Sequence, residues 1–169
     1  MNDLSFRLAL PDDAALLVRL RDEAAQWMQE HGIDQWKPGE MDEGHFRTRM
    51  AAGEVWLTER AGRVVGAWEL WWEDQHAWGV RPPDAGYVHR LMVDRTTAPR
   101  GTGRAMLDRA EHRIAEEGRP YARLDCVAAN PQLRAYYEGA GYAVVGEQPH
   151  KQGGKGGSPY AVTLLEKKL

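Results

Sequence analysis

Residues 98–111, "APRGTGRAMLDRAE", place Arg100, Gly101 and Gly103 directly before a helical pattern. Glycines there adopt backbone angles closed to other residues and let a ligand approach the main chain. The N–H groups of a first helical turn point outward, and the helix dipole favours an anion at that end. Arg100 and Arg104 add positive charge. Two common phosphate loops are excluded by named residues. A P-loop needs a Lys and a hydroxyl after its last glycine, and neither stands at that spacing. A dinucleotide fingerprint needs a third glycine, and that position is Met106. An acidic residue for the ribose is also not evident on the following strand. The local pattern therefore leaves two readings open: a pyrophosphate cradle, or a plain glycine turn beside two solvated arginines.

The surrounding elements decide how such a loop would be held. "LSFRLAL" alternates apolar and polar residues and reads as a strand. Pro11, Asp12 and Asp13 then suit a helix start. Leu16, Leu17, Leu20, Ala24, Trp27 and Met28 follow at three- and four-residue steps, up to Gly32. "HGIDQWKPGE" is a loop and "DEGHFRTRMAAG" a second short helix. "EVWLTER", the turn "AG" and "RVVGAWELWW" form a hairpin. Residues 73–85, with Pro82 and Pro83, form a loop. A strand over 86–94, a helix over 103–117 and a strand over 121–127 make a βαβ unit, which requires the two strands to be parallel. Asn130 and Pro131 open another helix. "YAVVGE" and "YAVTLLEKK" close the chain as strands, on either side of the Gly- and Lys-rich connector "QPHKQGGKGGSP", expected to be mobile. The order β-α-α-β-β-β-α-β-α-β-β belongs to an α/β or α+β sheet with helices on its faces.

Composition narrows the function. The chain has 169 residues, which suits one domain spanning 1–169 with no interdomain linker. Its net charge of −3 argues against a general nucleic-acid binder. A single cysteine, Cys126, excludes an internal disulfide and a cysteine metal cluster, and makes a reducing compartment, the cytoplasm, the simpler expectation. No apolar stretch approaches the ~20 residues needed to cross a bilayer. Cys126 shows no paired His and Asp pattern and is expected to be buried filling rather than a nucleophile. Trp36, Trp68, Trp71, Trp72 and Trp78 crowd one span and suggest an aromatic-lined pocket, although core packing suffices for at least two of them.

Two motifs, in the right order and on the right elements, resemble the GCN5-related N-acetyltransferase (GNAT) family. Arg100-Gly101-Thr102-Gly103-Arg104-Ala105 is similar to its acetyl-CoA loop, Q/R-x-x-G-x-G/A. "RLDCVAANPQLRAYYEGAGY" is similar to its strand, asparagine, helix and closing aromatic, here Tyr142 rather than phenylalanine. The connection from Val93 to Arg100 is slightly longer than the commonest family version. "GIDQW" and the Trp-rich hairpin are not general family features. The resemblance implies a mixed, mostly antiparallel sheet of six or seven strands, helices on both faces and a central βαβ cofactor unit.

The resemblance also implies roles. Leu91, Met92 and Val93 would offer backbone groups to the pantetheine arm of acetyl-CoA, and the N–H near Val93 would polarise the thioester carbonyl. Arg100, Gly101, Thr102, Gly103, Arg104 and Ala105 would bind the pyrophosphate. Asn130 would cap its helix and could contact the cofactor arm. Tyr137 would protonate the leaving thiolate, while Tyr136, about 100° away on the helix, is expected to pack. Glu69 and His89 are the candidate general bases, since the family places that base variably on the middle strands. No metal is expected. The acceptor would be a small-molecule amine or a peptide amine, with neither nucleic acid nor membrane as partner, and a homodimer is compatible with the family. A non-catalytic acyl-CoA-sensing module is the alternative.

Overall fold

The computed structural model describes residues 3–153 and 157–169. Its seven strands are β1 (Leu4–Leu8), β2 (Glu54–Arg60), β3 (Arg63–Trp71), β4 (Ala85–Val93), β5 (Tyr121–Val127), β6 (Ala143–Lys151) and β7 (Tyr160–Lys168). Its helices are α1 (Ala14–Glu30), α2 (Glu43–Ala52), α3 (Gln75–Trp78), α4 (Thr102–Glu116) and α5 (Pro131–Gly139). The strands form one mixed sheet in the order β1-β2-β3-β4-β5-β7-β6. β4 runs parallel to β5, whereas β1–β2, β2–β3, β5–β7 and β6–β7 pair antiparallel. This parallel pair is joined by α4, because parallel neighbours need a long crossover. The β2–β3 turn has positive φ at both Ala61 and Gly62, the backbone of a tight hairpin turn whose twist matches its strands.

The chain divides into two compact units, residues 1–70 with 90–109 and residues 71–89 with 110–169. In the first, Leu17 and Leu20 of α1 and Phe46 of α2 are buried with Val55, Leu57, Val64, Ala67 and Met92. Full burial of each large side chain stabilises by about 1.5–3 kcal/mol. The "PDD" start is a 3-10 turn over Pro11–Asp13 leading into α1. Asp13 accepts a hydrogen bond from the Leu10 N–H at 2.7 Å and one from Arg7 at 2.8 Å. α2 is capped by Asp42, which accepts from the His45 N–H. A Cβ on Gly66 of β3 would lie 2.6 Å from the Met106 sulfur and 3.0 Å from the Met92 carbonyl oxygen. The missing side chain is what lets α4 lie this close to β3.

In the second unit Ala77, Trp78, Ala85, Tyr87, Val162 and Leu164 form the core. Arg123 is buried among them and is compensated by Asp84 at 3.0 Å, Glu166 at 2.8 Å and the Tyr87 hydroxyl at 3.0 Å. A buried charge is tolerated when its donors are satisfied in this way. Tyr142, at the position where the resemblance expects phenylalanine, donates its hydroxyl hydrogen bond to Glu111 at 3.0 Å. β6 runs past the expected "YAVVGE" into the connector as far as Lys151. Its pairing with β7 is irregular between Gln148 and Lys151. Pro149 sits there, and β6 is the last strand in the sheet order, where a missing N–H is tolerated. Residues 154–156 of the connector lie outside the described residues. α3 interrupts the expected 73–85 loop. Asp74 caps it by accepting from the Ala77 N–H at 3.3 Å. No helix among the described residues is long and apolar enough to cross a membrane.

Candidate functional site

The glycine loop belongs to the first unit. β4 ends at Val93, and Asp94 then folds the chain back. Its N–H donates to the Val65 carbonyl at 2.8 Å. Its carboxylate accepts from the Thr96 N–H and hydroxyl at 3.0 and 2.7 Å. Burial alone would push the Asp94 carboxyl up, but these bonds favour the charged form and hold it below the usual carboxylate range. The N–H groups of Thr97 and Ala98 donate to the Asp94 carbonyl, so the connection is a built turn. Gly101 has φ +88°, and a Cβ built there meets nothing within 4 Å. The glycine is required by its backbone angle, and the space beside it is open. Thr102 is buried and donates its hydroxyl hydrogen to the Pro99 carbonyl at 2.7 Å. Arg100 and Arg104 are exposed, and Arg104 pairs with Asp108. Gly103 and Ala105 are half-buried in the first turn of α4. This loop, with Leu91, Met92 and Val93, is one continuous feature of the first unit.

Glu69 also lies in the first unit. It is fully buried on β3 and binds two guanidiniums, Arg90 at 2.9 Å and Arg49 at 3.3 Å. Arg90 also bonds His45 Nε2 and holds φ +49°. A non-glycine residue in that region stores local strain and is found where surrounding contacts enforce it. A carboxylate paired with two cations is a weak proton acceptor.

His89, Asn130 and Tyr137 belong to the second unit. His89 Nε2 lies 2.8 Å from the Asp74 carboxylate, and its ring stacks on Trp71 with centroids 3.7 Å apart. Burial pushes the Asp74 carboxyl up, but the interaction with His89 outweighs it and leaves Asp74 below its ordinary value. Asp125 lies near this pair: one ligand atom from each of Asp74, His89 and Asp125 falls within 4.8 Å of the others. Lys151 Nζ donates to Asp125 at 2.7 Å. A metal-type trio is therefore accompanied by an internal cation. Asn130 accepts from the Leu133 N–H at 3.1 Å and caps α5. Tyr137 is buried in α5, and loss of solvation pushes its hydroxyl pKa well above the ordinary tyrosine value. Its ring meets Tyr136 and Tyr142 edge to face. Tyr136, expected to pack, is 44% exposed, and its ring meets that of Tyr137 edge to face. Burial raises the Cys126 thiol to about 11, which keeps it protonated and inert at neutral pH.

The tryptophans separate into two groups. Trp68 and Trp78 are core residues, and Trp56 stacks on Trp68. Trp36, Trp71 and Trp72 are half-buried. Asp74, Arg90 and Arg49 escape a reading of the sequence. The N-cap pattern before "QHAW" was an available signal for Asp74, whereas nothing local marks a positive φ at Arg90.

The acetyltransferase (GNAT) family model matches residues 19–142. The chain belongs to this family. It is 28% identical over 151 residues to the uncharacterized N-acetyltransferase YesJ of Bacillus subtilis, covering 82% of this chain and 81% of that one. A GNAT family acetyltransferase from Listeria monocytogenes is 29% identical and superposes with a TM-score of 0.78 over 98% of this chain and 95% of its own. A GNAT family acetyltransferase from Elizabethkingia anophelis, solved with acetyl-CoA bound, is 12% identical, with a TM-score of 0.65 over the full length of both chains, and shares the fold. The expected mixed, mostly antiparallel sheet is the fold observed.

Proposed function

We propose that this acetyltransferase moves an acetyl group from acetyl-CoA to a primary amine, most simply that of a small molecule, by direct attack. The observation that carries the reading is the built turn from Asp94 to Thr102. With Gly101 at φ +88° and open space beside it, the turn presents the first-turn amides of α4 as an anion cradle. A pyrophosphate fits that chemistry, and Arg100 adds charge from an exposed position.

Bound acetyl-CoA supplies an activated thioester. The protein's groups do the rest. The backbone N–H near Val93 donates to the carbonyl oxygen, where negative charge grows as the amine attacks; a fixed donor there lowers the barrier. Tyr137 gives its proton to the sulfur as the C–S bond breaks, and its raised pKa keeps that proton in place until the thiolate forms. His89 takes the proton lost by the amine, with Asp74 orienting its ring. Between the two candidate bases the paired state of Glu69 favours His89. Asn130 holds the start of α5, which carries Tyr137.

The test is thiol release from acetyl-CoA over a panel of small amines and short peptides. Amine-dependent release is expected. Tight CoA binding with no release on any amine would leave a non-catalytic acyl-CoA-binding module instead.

A further inference from the structure

The first unit contains a cavity of about 90 Å³ lined by Ala24, Trp27, Met28, Trp36, Leu91, Met92, Val93 and Arg95. Ala24, Trp27 and Met28 stand at i, i+3 and i+4 on α1 and share one helix face. Another wall is the end of β4, the three residues assigned above to the pantetheine arm, with the Val93 N–H on the thioester carbonyl. The lining is mainly apolar. A space of this size admits a short side chain and not a peptide segment.

Each tryptophan wall carries a guanidinium. Arg95 lies 3.6 Å over the Trp27 ring, and Arg21 lies 4.1 Å over Trp36. Neither cation is fully compensated. Arg95 is exposed, and no carboxylate among the described residues pairs with it. Arg21 is 2% exposed and gives only Nη2 to Glu40; its Nε and Nη1 are buried with no hydrogen-bond acceptor. Arg21 precedes Ala24 and Met28 by three and seven residues and so shares their face of α1. Arg21 does not line the cavity, but Arg95 does, and its exposed guanidinium offers an anion a partner beside the apolar wall.

We propose that the acceptor is a compact apolar amine that also carries a carboxylate, an amino-acid-like molecule with its side chain between Trp27, Trp36 and Met28 and its carboxylate on Arg95. The proposal rests on the acetyl-transfer reading, which places the reacting carbonyl at the N–H near Val93. A guanidinium already stacked on an aromatic face is held in one plane and binds a carboxylate bidentately with little further ordering. The amine then remains beside the β4 backbone. Polyamines, which are cationic throughout, would meet repulsion from both arginines.

Two pairs of ligands test this in the whole protein with CoA present: leucine against isoamylamine, and phenylalanine against phenethylamine. Calorimetry reads binding, and thiol release from acetyl-CoA reads turnover. Each amino acid is expected to bind about tenfold or more tightly than its decarboxylated partner, as a lost charged hydrogen bond implies. Arg95→Gln is expected to erase that difference while leaving the affinity for the two plain amines and for CoA within about twofold. The proposal is overturned if the plain amines bind as well as the amino acids, if Arg95→Gln weakens both members of a pair equally, or if neither amino acid binds. Preferential amino-acid binding with no thiol release supports the cavity assignment and overturns acetyl transfer, so the two readings fail separately.

Discussion

Tyr137 is the side chain whose removal should separate chemistry from binding. Tyr137→Phe deletes one oxygen and keeps the ring, so the edge-to-face contacts with Tyr136 and Tyr142 survive. We expect turnover to fall by about a hundredfold, the size of a lost general acid, with CoA affinity unchanged in calorimetry. Unchanged turnover would remove Tyr137 from the acid role. At this scale the sequence showed which residues to watch and not what they touch. The helix cap at Asn130 was legible because Pro131 follows it. The paired state of Glu69 was not, because Arg49 and Arg90 stand 20 and 21 residues away along the chain. Nor was the Asp74–His89 pair, which is formed across 15 residues by an unanticipated turn of helix.

Among the elements, β4 and α4 set the geometry on which the glycine loop depends, and glycine is the device that brings them together. In the second unit a Cβ on Gly86 of β4 would fall 2.4 Å from Ile114 Cγ1 and 2.8 Å from its Cδ1 on α4. The near atom is a branch carbon close to the helix backbone, so it cannot swing aside. Gly86→Ala should therefore destabilise by roughly 1–3 kcal/mol through overpacking. The cost should shrink when Ile114 is also truncated to alanine, a coupling read from urea unfolding of the four proteins of the cycle. An unchanged cost in the truncated background would show that the collision is not its source. The βαβ unit itself was plain from periodicity, and its strand limits agree with the structure within a residue. Two things escaped periodicity. α3 is four residues long, too short to show a helical period. β6 continues through Pro149 because edge pairing with β7, a long-range fact, overrides a residue that would end an inner strand.

For the molecule as a whole the decisive question is which phosphate ligand stabilises the folded chain. Net charge gives no strong pull on polyanions, since the total is −3, so selectivity must come from the loop. The loop offers backbone amides, Gly101 at φ +88° and an exposed Arg100. It lacks the lysine and hydroxyl with which a P-loop grips a magnesium nucleotide. CoA at a hundred times its Kd should then raise stability by about 2.7 kcal/mol. For a chain of this length that is a rise in Tm of roughly 5–10 °C. ATP with magnesium at the same concentration should produce little. Gly101→Val tests the origin of the effect. A β-branched side chain is an outlier at positive φ, so the turn must distort, and the CoA-dependent rise should largely vanish. An equal rise with ATP and magnesium, or a full CoA rise in Gly101→Val, would place the cofactor elsewhere and take the pyrophosphate assignment with it.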